Sequence, residues 1–441
     1  MPNRVFVLDT DRNPLMPTHP ARARRLLRAG RASVVRKVPF TIIVHDRGLE
    51  DSDTQPVKAK VDPGSKTTGL ALVADFAERG PAVVWAGELH HRGDAIRRAL
   101  ADRRAHRRNR RARKTRYRKP RFQNRRRPAG WLPPSVGHRV ATTATWVDRL
   151  RRWSPVTDLS LERAKFDTQL LEHPENAGEE YQRGTLYGTE LREYLLARHR
   201  HTCAYCAGLS GDPVLEREHV LPRSRGGSDR VANLVIACTT CNQAKGNRTA
   251  GEWAATLGRR RKLDRTRKAN AAAVQAGQRP SLRDAAAVNA VRNALAGRLQ
   301  ATGLPVEWGT GGRTKYNRTN QNYPKAHWID AACVGVSGEA VRLAPDHQPL
   351  AINATGHGER QRARLNRHGF PRGHKPRARS FQGFRTGDWV RAVSGKARGA
   401  AGRIRIRFRP SFVLTTRAAK HDGLHPRHLI IQQRSDGYAY A

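Results

Sequence analysis

Acidic residues are scarce in this chain: 37 Asp and Glu stand against 84 Lys and Arg in 441 residues, a net charge of +47 with a pI near 11.5. Charge of that size repels itself in a compact fold, so a polyanionic partner has to neutralise it. Long apolar runs are missing too. No stretch approaches the roughly 20 apolar residues of a membrane-spanning helix. Met1 to Asp9 is a short strand-like run rather than a secretory signal. No membrane partner is therefore expected, and the polyanion is nucleic acid. Hydrophobic residues make up 38%, below the roughly 45–50% of ordinary globular domains, so the cores must be separated by broad solvated or ligand-covered surface. The length suits about three domains.

The positive charge is mostly Arg, which forks onto phosphate and stacks on bases, and it is segregated. From His91 to Arg127 about half the positions are Arg or Lys, Asp is almost absent, and helix breakers are few before Pro120. Like charges at i and i+4 destabilise an isolated helix, so this segment is expected to be helical against phosphates. The contacts are placed on Arg97, Arg98, Arg103, Arg104, Arg107, Arg108, Arg110, Arg111, Arg113 and Lys114.

Elsewhere the pattern is that of an α/β chain. Val5 to Leu8 and Phe40 to Val44 read as strands around a helix Ala21 to Ala29, and Asn13 to Pro17 reads as an irregular loop held by two prolines. Val57 to Val61, Thr68 to Val73 and Val83 to Leu89 form a meander. An amphipathic helix Ala141 to Arg152 precedes a strand Val156 to Leu161 that ends in Glu162, and Glu190 to His199 is helical. Two helices are expected within Ala272 to Leu299, a polar loop over Gly309 to Gln321, a helix start at Lys325, and a set of short C-terminal strands suggesting a small β-barrel.

Four of the five cysteines form two pairs, Cys203-x-x-Cys206 and Cys238-x-x-Cys241. That spacing suits tetrahedral thiolate coordination of a structural Zn²⁺, and a disulfide reading is poor without an export signal. Cys333 stands apart as a packed core residue. Between the pairs lie Glu216-Arg217-Glu218-His219-Val220-Leu221-Pro222, then Asn233, and Asn242 follows Cys241. His219 can take a proton from water, while Glu218 and Asn242 offer oxygen ligands to a hard cation. This order resembles the HNH, or ββα-metal, nuclease family. The resemblance implies that His219 is the general base, that Glu218 and Asn242 hold one Mg²⁺ (or Mn²⁺), and that Asn233 orients the loop and the base.

Asp62 follows a strand and precedes Pro63-Gly64-Ser65, Glu162 closes another strand, and His327 and Asp330 share a helix face at i, i+3. Carboxylates converging on two Mg²⁺ ions serve in-line phosphodiester cleavage. Lys60 to Gly69, Leu161-Glu162 and His327 to Ala332 resemble the three split motifs of RuvC-like, RNase H-fold nucleases. With the Arg-rich segment after the first motif and the HNH module between the second and third, the order is similar to that of the IscB family of transposon-encoded, RNA-guided nucleases.

The resemblance implies an α/β multidomain fold. Its RNase H-like (RuvC) mixed-sheet core is split by an Arg-rich bridge helix and an inserted zinc-bearing ββα HNH domain, with a small C-terminal β-barrel. The implied domains are 1–55 (with Pro14-Leu15-Met16-Pro17 as the signature loop), RuvC-like parts at 56–90, 131–189 and 256–345, the bridge helix at 91–130, HNH at 190–255 and a nucleic-acid-interacting region at 346–441. The implied function is RNA-guided, Mg-dependent DNA cleavage by a monomer bound to its guide (an ωRNA) and a double-stranded target. His219 would serve one strand; Asp62, Glu162, His327 and Asp330 would serve the other. Two alternatives stay open: an unguided HNH endonuclease, and a non-enzymatic RNA-binding scaffold.

Overall fold

The structure, a computed structural model, describes residues 3–112, 127–163, 189–229, 231–258, 260–276, 283–355, 363–367, 371–374, 380–407, 411–416 and 418–440. Arg113 and Lys114, most of the chain between Glu162 and Cys203, and most of the basic stretch 356–379 lie outside the described residues. No described helix is long and apolar enough to cross a membrane.

The chain opens with β1 (Val5–Leu8), β2 (Pro14–Thr18), α1 (Pro20–Arg28), β3 (Ala32–Arg36) and β4 (Thr41–Val44), forming a sheet of order β2-β1-β4-β3. The Pro-rich segment expected as an irregular loop is instead strand β2, with Leu15 opposite Val7 and Pro14 opposite Leu8. Two prolines are tolerated there because β2 is the sheet edge, where a missing N–H leaves no ladder bond unmade.

An antiparallel meander follows, β5 (Val57–Asp62), β6 (Thr67–Phe76) and β7 (Gly80–His90), then α2 (Gly93–Ala112), α3 (Pro134–Trp153) and β8 (Val156–Glu162). The cysteine region comprises α4 (Thr189–Arg198), the antiparallel pair β9 (Leu215–His219) and β10 (Leu234–Cys238), α5 (Thr239–Lys245), α6 (Ala250–Thr256) and α7 (Lys262–Gln275). The chain then returns through α8 (Arg283–Gln300), β11 (Val306–Gly309), α9 (Gly311–Asn320), α10 (His327–Ala332) and β12 (Leu350–Ala354). Two short hairpins, β13 (Ala363–Leu365) with β14 (Pro371–His374) and β15 (Ser380–Phe381) with β16 (Phe384–Arg385), lead to β17 (Trp389–Ala392), β18 (Ala401–Arg405), β19 (Phe412–Thr415), β20 (Lys420–Leu424), β21 (Leu429–Gln433) and β22 (Tyr438–Tyr440).

The central sheet has seven strands in the order β11-β8-β5-β6-β7-β12-β22. β8 runs parallel to β5 and β11 parallel to β8, so the C-terminal ends of these three strands lie at the same end of the sheet. One face is sealed by α3 and α8 through Trp85, Trp146, Leu161, Val291 and Leu295. The other is covered by α10, where Cys333 packs in the core with Ala71, Ala86 and Ile329, as expected for it. α10 sits so close that a Cβ on Gly69 of β6 would fall 1.8 Å from the His327 carbonyl oxygen. Backbone against backbone cannot yield by a rotamer change. Gly69→Ala is therefore expected to cost about 3 kcal/mol and to lower the melting temperature of the full chain; an unchanged melting curve would contradict this packing.

The region expected as a polar loop, Gly309 to Gln321, is helix α9 along most of its length. The Thr310 side chain accepts from the Arg313 N–H at 3.2 Å and caps the helix. Its buried positions are polar: Asn317 Nδ2 donates to the carbonyls of Cys333 at 3.0 Å and Gly335 at 2.7 Å. Such a helix has no apolar stripe to announce it.

The C-terminal strands form a sheet of order β20-β19-β18-β17-β21 over a core of Val390, Ile404, Phe412 and Leu414. A barrel was expected. No ladder joins β20 to β21 among the described residues, so the pairings describe an open antiparallel sheet. β22 leaves it to extend the central sheet, where Asp436 is ion-paired with both Arg36 and Arg149.

Among the described side chains, α2 packs over its first two turns, with Gly93 against the Arg139 guanidinium and Ile96, Ala99 and Leu100 partly buried. From Ala101 to Asn109 every residue is exposed, Arg103, Arg104, Arg107 and Arg108 included, as are Arg97 and Arg98.

Candidate functional site

The sulfur atoms of Cys203, Cys206, Cys238 and Cys241 all lie within 4.8 Å of one another, and all four residues are buried. The Cys206–Cys238 separation is 3.8 Å, the edge of a tetrahedron with Zn–S bonds of about 2.3 Å. Hydrogen bonding from the Cys241 thiol pulls the Cys203 pKa down to about 4, while the same contact pushes Cys241 up and burial pushes Cys238 up. Four soft, buried donors at tetrahedral spacing fit Zn²⁺.

β9 starts beside this cluster, with Leu215 opposite Cys238, and distributes its side chains by alternation. Glu216 and Glu218 face α5, and His219 projects from the opposite face. Lys245, fully buried, donates to Glu218 Oε1 at 2.5 Å and to the His219 carbonyl at 2.9 Å. Asn242, one turn earlier on α5, donates from Nδ2 to Glu216 Oε2 at 2.8 Å. Glu218 and Asn242 are thus joined at this site by Glu216 and Lys245, which stand within the motif but were given no role in it. Glu216 was legible through the i, i+2 alternation of a strand.

His219 Nε2 lies 2.8 Å from Asp229 Oδ1. Asp229 is gripped on its other side by Arg223, whose Nε donates at 2.9 Å and whose Nη2 pairs with Oδ2. The Arg223 guanidinium, with a lesser contribution from His219, holds the Asp229 carboxyl below its usual range. Asn233 closes this loop: its Oδ1 accepts from the Leu221 N–H at 2.9 Å, and its Nδ2 donates to the carbonyls of Leu221 at 3.0 Å and Ser228 at 2.8 Å. Asp229 carries no sequence signal of its own; only loop closure brings it to His219.

At the other end of the chain's topology, Asp62 and Glu162 end the neighbouring parallel strands β5 and β8. Arg292 of α8 reaches in between them, ion-paired with Glu162 and 4.0 Å from Asp62 Oδ1. Asp330 of α10 is paired with Arg318 at 2.7 Å and with Lys325 at 3.9 Å. Burial and then the charges of Glu162 and Asp330 push the Asp62 carboxyl well up. Burial does the same to Asp330, whose charge is eased by Lys325, Arg318 and His327. Burial lowers the pKa of His327. The four residues read from sequence are therefore electrostatically one site, and Arg292 and Arg318 are additions that only packing supplies. Crowded, buried carboxylates whose mutual repulsion is only partly offset fit divalent cations.

A folded-state carboxyl pKa above the unfolded value contributes stability below the unfolded carboxylate range and loses it as pH rises through the folded value. At neutral pH and without divalent cation, Asp62 accordingly costs stability. Asp62→Asn is expected to raise the metal-free melting temperature at pH 7 by about 2–4 °C, with a smaller gain at pH 4. Equal effects at both pH values in thermal unfolding would contradict the repulsion.

Residues 5–184 match the family described as RRXRR protein, and Arg107-Arg108-Asn109-Arg110-Arg111 on α2 has that form. Residues 203–255 match the HNH endonuclease family. Among curated proteins there is no match. Among solved structures, the chain is similar to Streptococcus thermophilus Cas9 in complex with the GGAA PAM, at 13% identity over 62% of this chain and 32% of that one, with a TM-score of 0.22. It is also similar to the Type II-C Cas9 from Actinomyces naeslundii, at 17% identity over 49% of this chain and 25% of that one, with a TM-score of 0.19. The chain spans a third or less of the length of these structures, and TM-scores this low carry nothing for the fold of the whole chain.

Proposed function

From a chain that belongs with the IscB- and Cas9-like nucleases by its arginine-rich and HNH matches, we infer an RNA-guided DNA endonuclease with two cutting centres, one per strand. The observation that supports this reading is a second acidic group outside the residues that match the HNH family: Asp62 and Glu162 end neighbouring strands around Arg292, and Asp330 lies near enough for its charge to push the Asp62 carboxyl up. The order β11-β8-β5-β6-β7, with an antiparallel meander and β8 and β11 parallel to β5, supports reading that part of the sheet as RuvC-like and RNase H-like.

In the HNH centre, His219 takes the proton from the attacking water, and Asp229 holds its ring by the Nε2 bond. Asn233 fixes the loop that carries Asp229. Glu218 and Asn242, with Glu216 beside them, would hold Mg²⁺ there. In the RuvC-like centre Asp62, Glu162 and Asp330 would hold the cations, and His327 stands ready at the start of α10 to accept or deliver a proton. Bound Mg²⁺ supplies charge stabilisation at the phosphorane-like transition state and a more acidic water. A cation held by Glu162 would compete with Arg292 for its Oε1.

The exposed Arg face of α2 suits the guide's phosphates, since A-form RNA is gripped by backbone and shape. HNH then serves the guide-paired strand and the RuvC-like centre the displaced strand. The protein purified with its RNA should cut matching duplex DNA in Mg²⁺ and stop after RNase treatment or with EDTA. Sequence-specific cutting that survives RNase would overturn guidance and leave an unguided HNH endonuclease.

A further inference from the structure

Helix α7 lies beyond the residues that match the HNH family, yet it packs into the cysteine module. Ala271 joins the core of Cys203, Tyr205 and Trp253, Asn270 Nδ2 donates to the Tyr205 carbonyl at 2.9 Å, and Gln275 Oε1 accepts from the Gly251 N–H at 3.0 Å. The module therefore ends near Gln275 rather than at residue 255. At the centre of this contact is Arg267, only 8% exposed.

Arg267 Nε donates to Cys241 Sγ at 3.2 Å. Nε and Nη2 carry the two parallel N–H bonds of the guanidinium fork, so Nη2 faces the same way; it is buried and has no hydrogen-bond partner among the described residues. Asp264 lies at 4.0 Å from Nη1, and the guanidinium stands 6.0 Å from the Trp253 ring centroid. The other sulfurs have milder donors. Cys203 accepts from the Tyr205 N–H at 3.4 Å and the Cys206 N–H at 3.5 Å, and Ser210 Oγ touches Cys206 at 3.3 Å and Cys238 at 3.2 Å.

Four thiolates around Zn²⁺ leave a net charge of about −2 in a buried place. An uncompensated buried charge is costly, and neutral N–H and O–H donors offset only part of it. We propose that Arg267 is the positioning and charge-compensating residue of the zinc site, its fork turned on the thiolates through Cys241, so that zinc retention depends on α7. The proposal rests on the zinc reading of the four cysteines and not on guided cleavage.

The test uses the full chain as purified. Zinc content is measured first, then its release to a colorimetric chelator, for wild type, Arg267→Met and Arg267→Lys. Met keeps the packing on Trp253 and removes the donors; Lys keeps the charge without the fork. Release should be about 10–100-fold faster in Arg267→Met, with Arg267→Lys between. In the Co²⁺-substituted proteins the sulfur-to-cobalt charge-transfer band should move to longer wavelength in Arg267→Met, because the sulfur loses its donor. Wild-type release rates and an unmoved band in Arg267→Met would overturn the assignment. If that variant does not fold, wild-type release from Arg267→Lys overturns it equally. A wild-type protein without zinc would instead overturn the zinc reading beneath it.

Discussion

His219→Ala is expected to leave a nicking enzyme that has lost cleavage of the guide-paired strand and still cuts the other. Asp62→Ala should do the reverse. The expectation follows from where the groups sit. His219 projects from β9 toward Asp229, whereas Asp62 shares Arg292 with Glu162 at the strand ends of a different sheet. Losing a positioned general base costs about 10²–10⁴ in rate, enough to erase one strand's product on the time scale of the other. Losing Asp62 removes a carboxylate proposed to hold metal, and Arg292 remains paired with Glu162. End labels on both strands of one duplex read the two reactions separately. Loss of both products in either single variant would contradict two independent centres.

Removing zinc is expected to unfold the whole cysteine module while the seven-stranded sheet stays folded. The module has a two-stranded ladder, β9 with β10, and an isolated pair of strands is marginal in water. Its core is built around the cysteines themselves, with Tyr205 and Trp253 packed on them. Structural zinc contributes on the order of 10–16 kcal/mol in small modules, comparable to or larger than the entire stability of an ordinary domain, about 5–15 kcal/mol. Stripping the metal with a zinc-selective chelator should therefore abolish hydrogen-exchange protection in β10 and α5 to α7. Protection in β5 to β7, sealed by Trp85 and Leu70, should persist. Unchanged protection in β10 would contradict a zinc-dependent module.

The cysteine pairs, the Glu218-His219 step and the strand-ending Asp62 and Glu162 were legible because each is a local pattern whose chemistry demands particular residue types at fixed spacing. The meander β5 to β7 was legible because both its faces are buried and it reads as apolar runs. Asn13 to Pro17 misled because proline reports what a strand's interior forbids, not that an edge permits it. Gly309 to Gln321 misled because α9 is held by Asn317 and Arg318 bonding to α10 and the chain after it, contacts with no periodicity. Arg292, Asp229 and Arg267 were out of reach for a shared reason. Each acts on a residue 130, 10 or 26 positions away with no fixed spacing to announce it, and for the two arginines a chain with 84 Lys and Arg hides one more.

The central claim is that a bound RNA chooses where this protein cuts. The most direct measurement is to co-express the chain with the DNA flanking its own coding segment, purify it in high salt, and sequence the RNA that remains. High salt matters because a protein of +47 holds bulk RNA through counterion release. The variable end of that RNA is then replaced with a chosen sequence, and cut positions are mapped on DNA carrying the new match. One discrete RNA with a constant scaffold is expected, with cleavage moving to the new match. Heterogeneous RNA lost in salt, or cleavage that stays at one DNA sequence whatever the RNA, would contradict it.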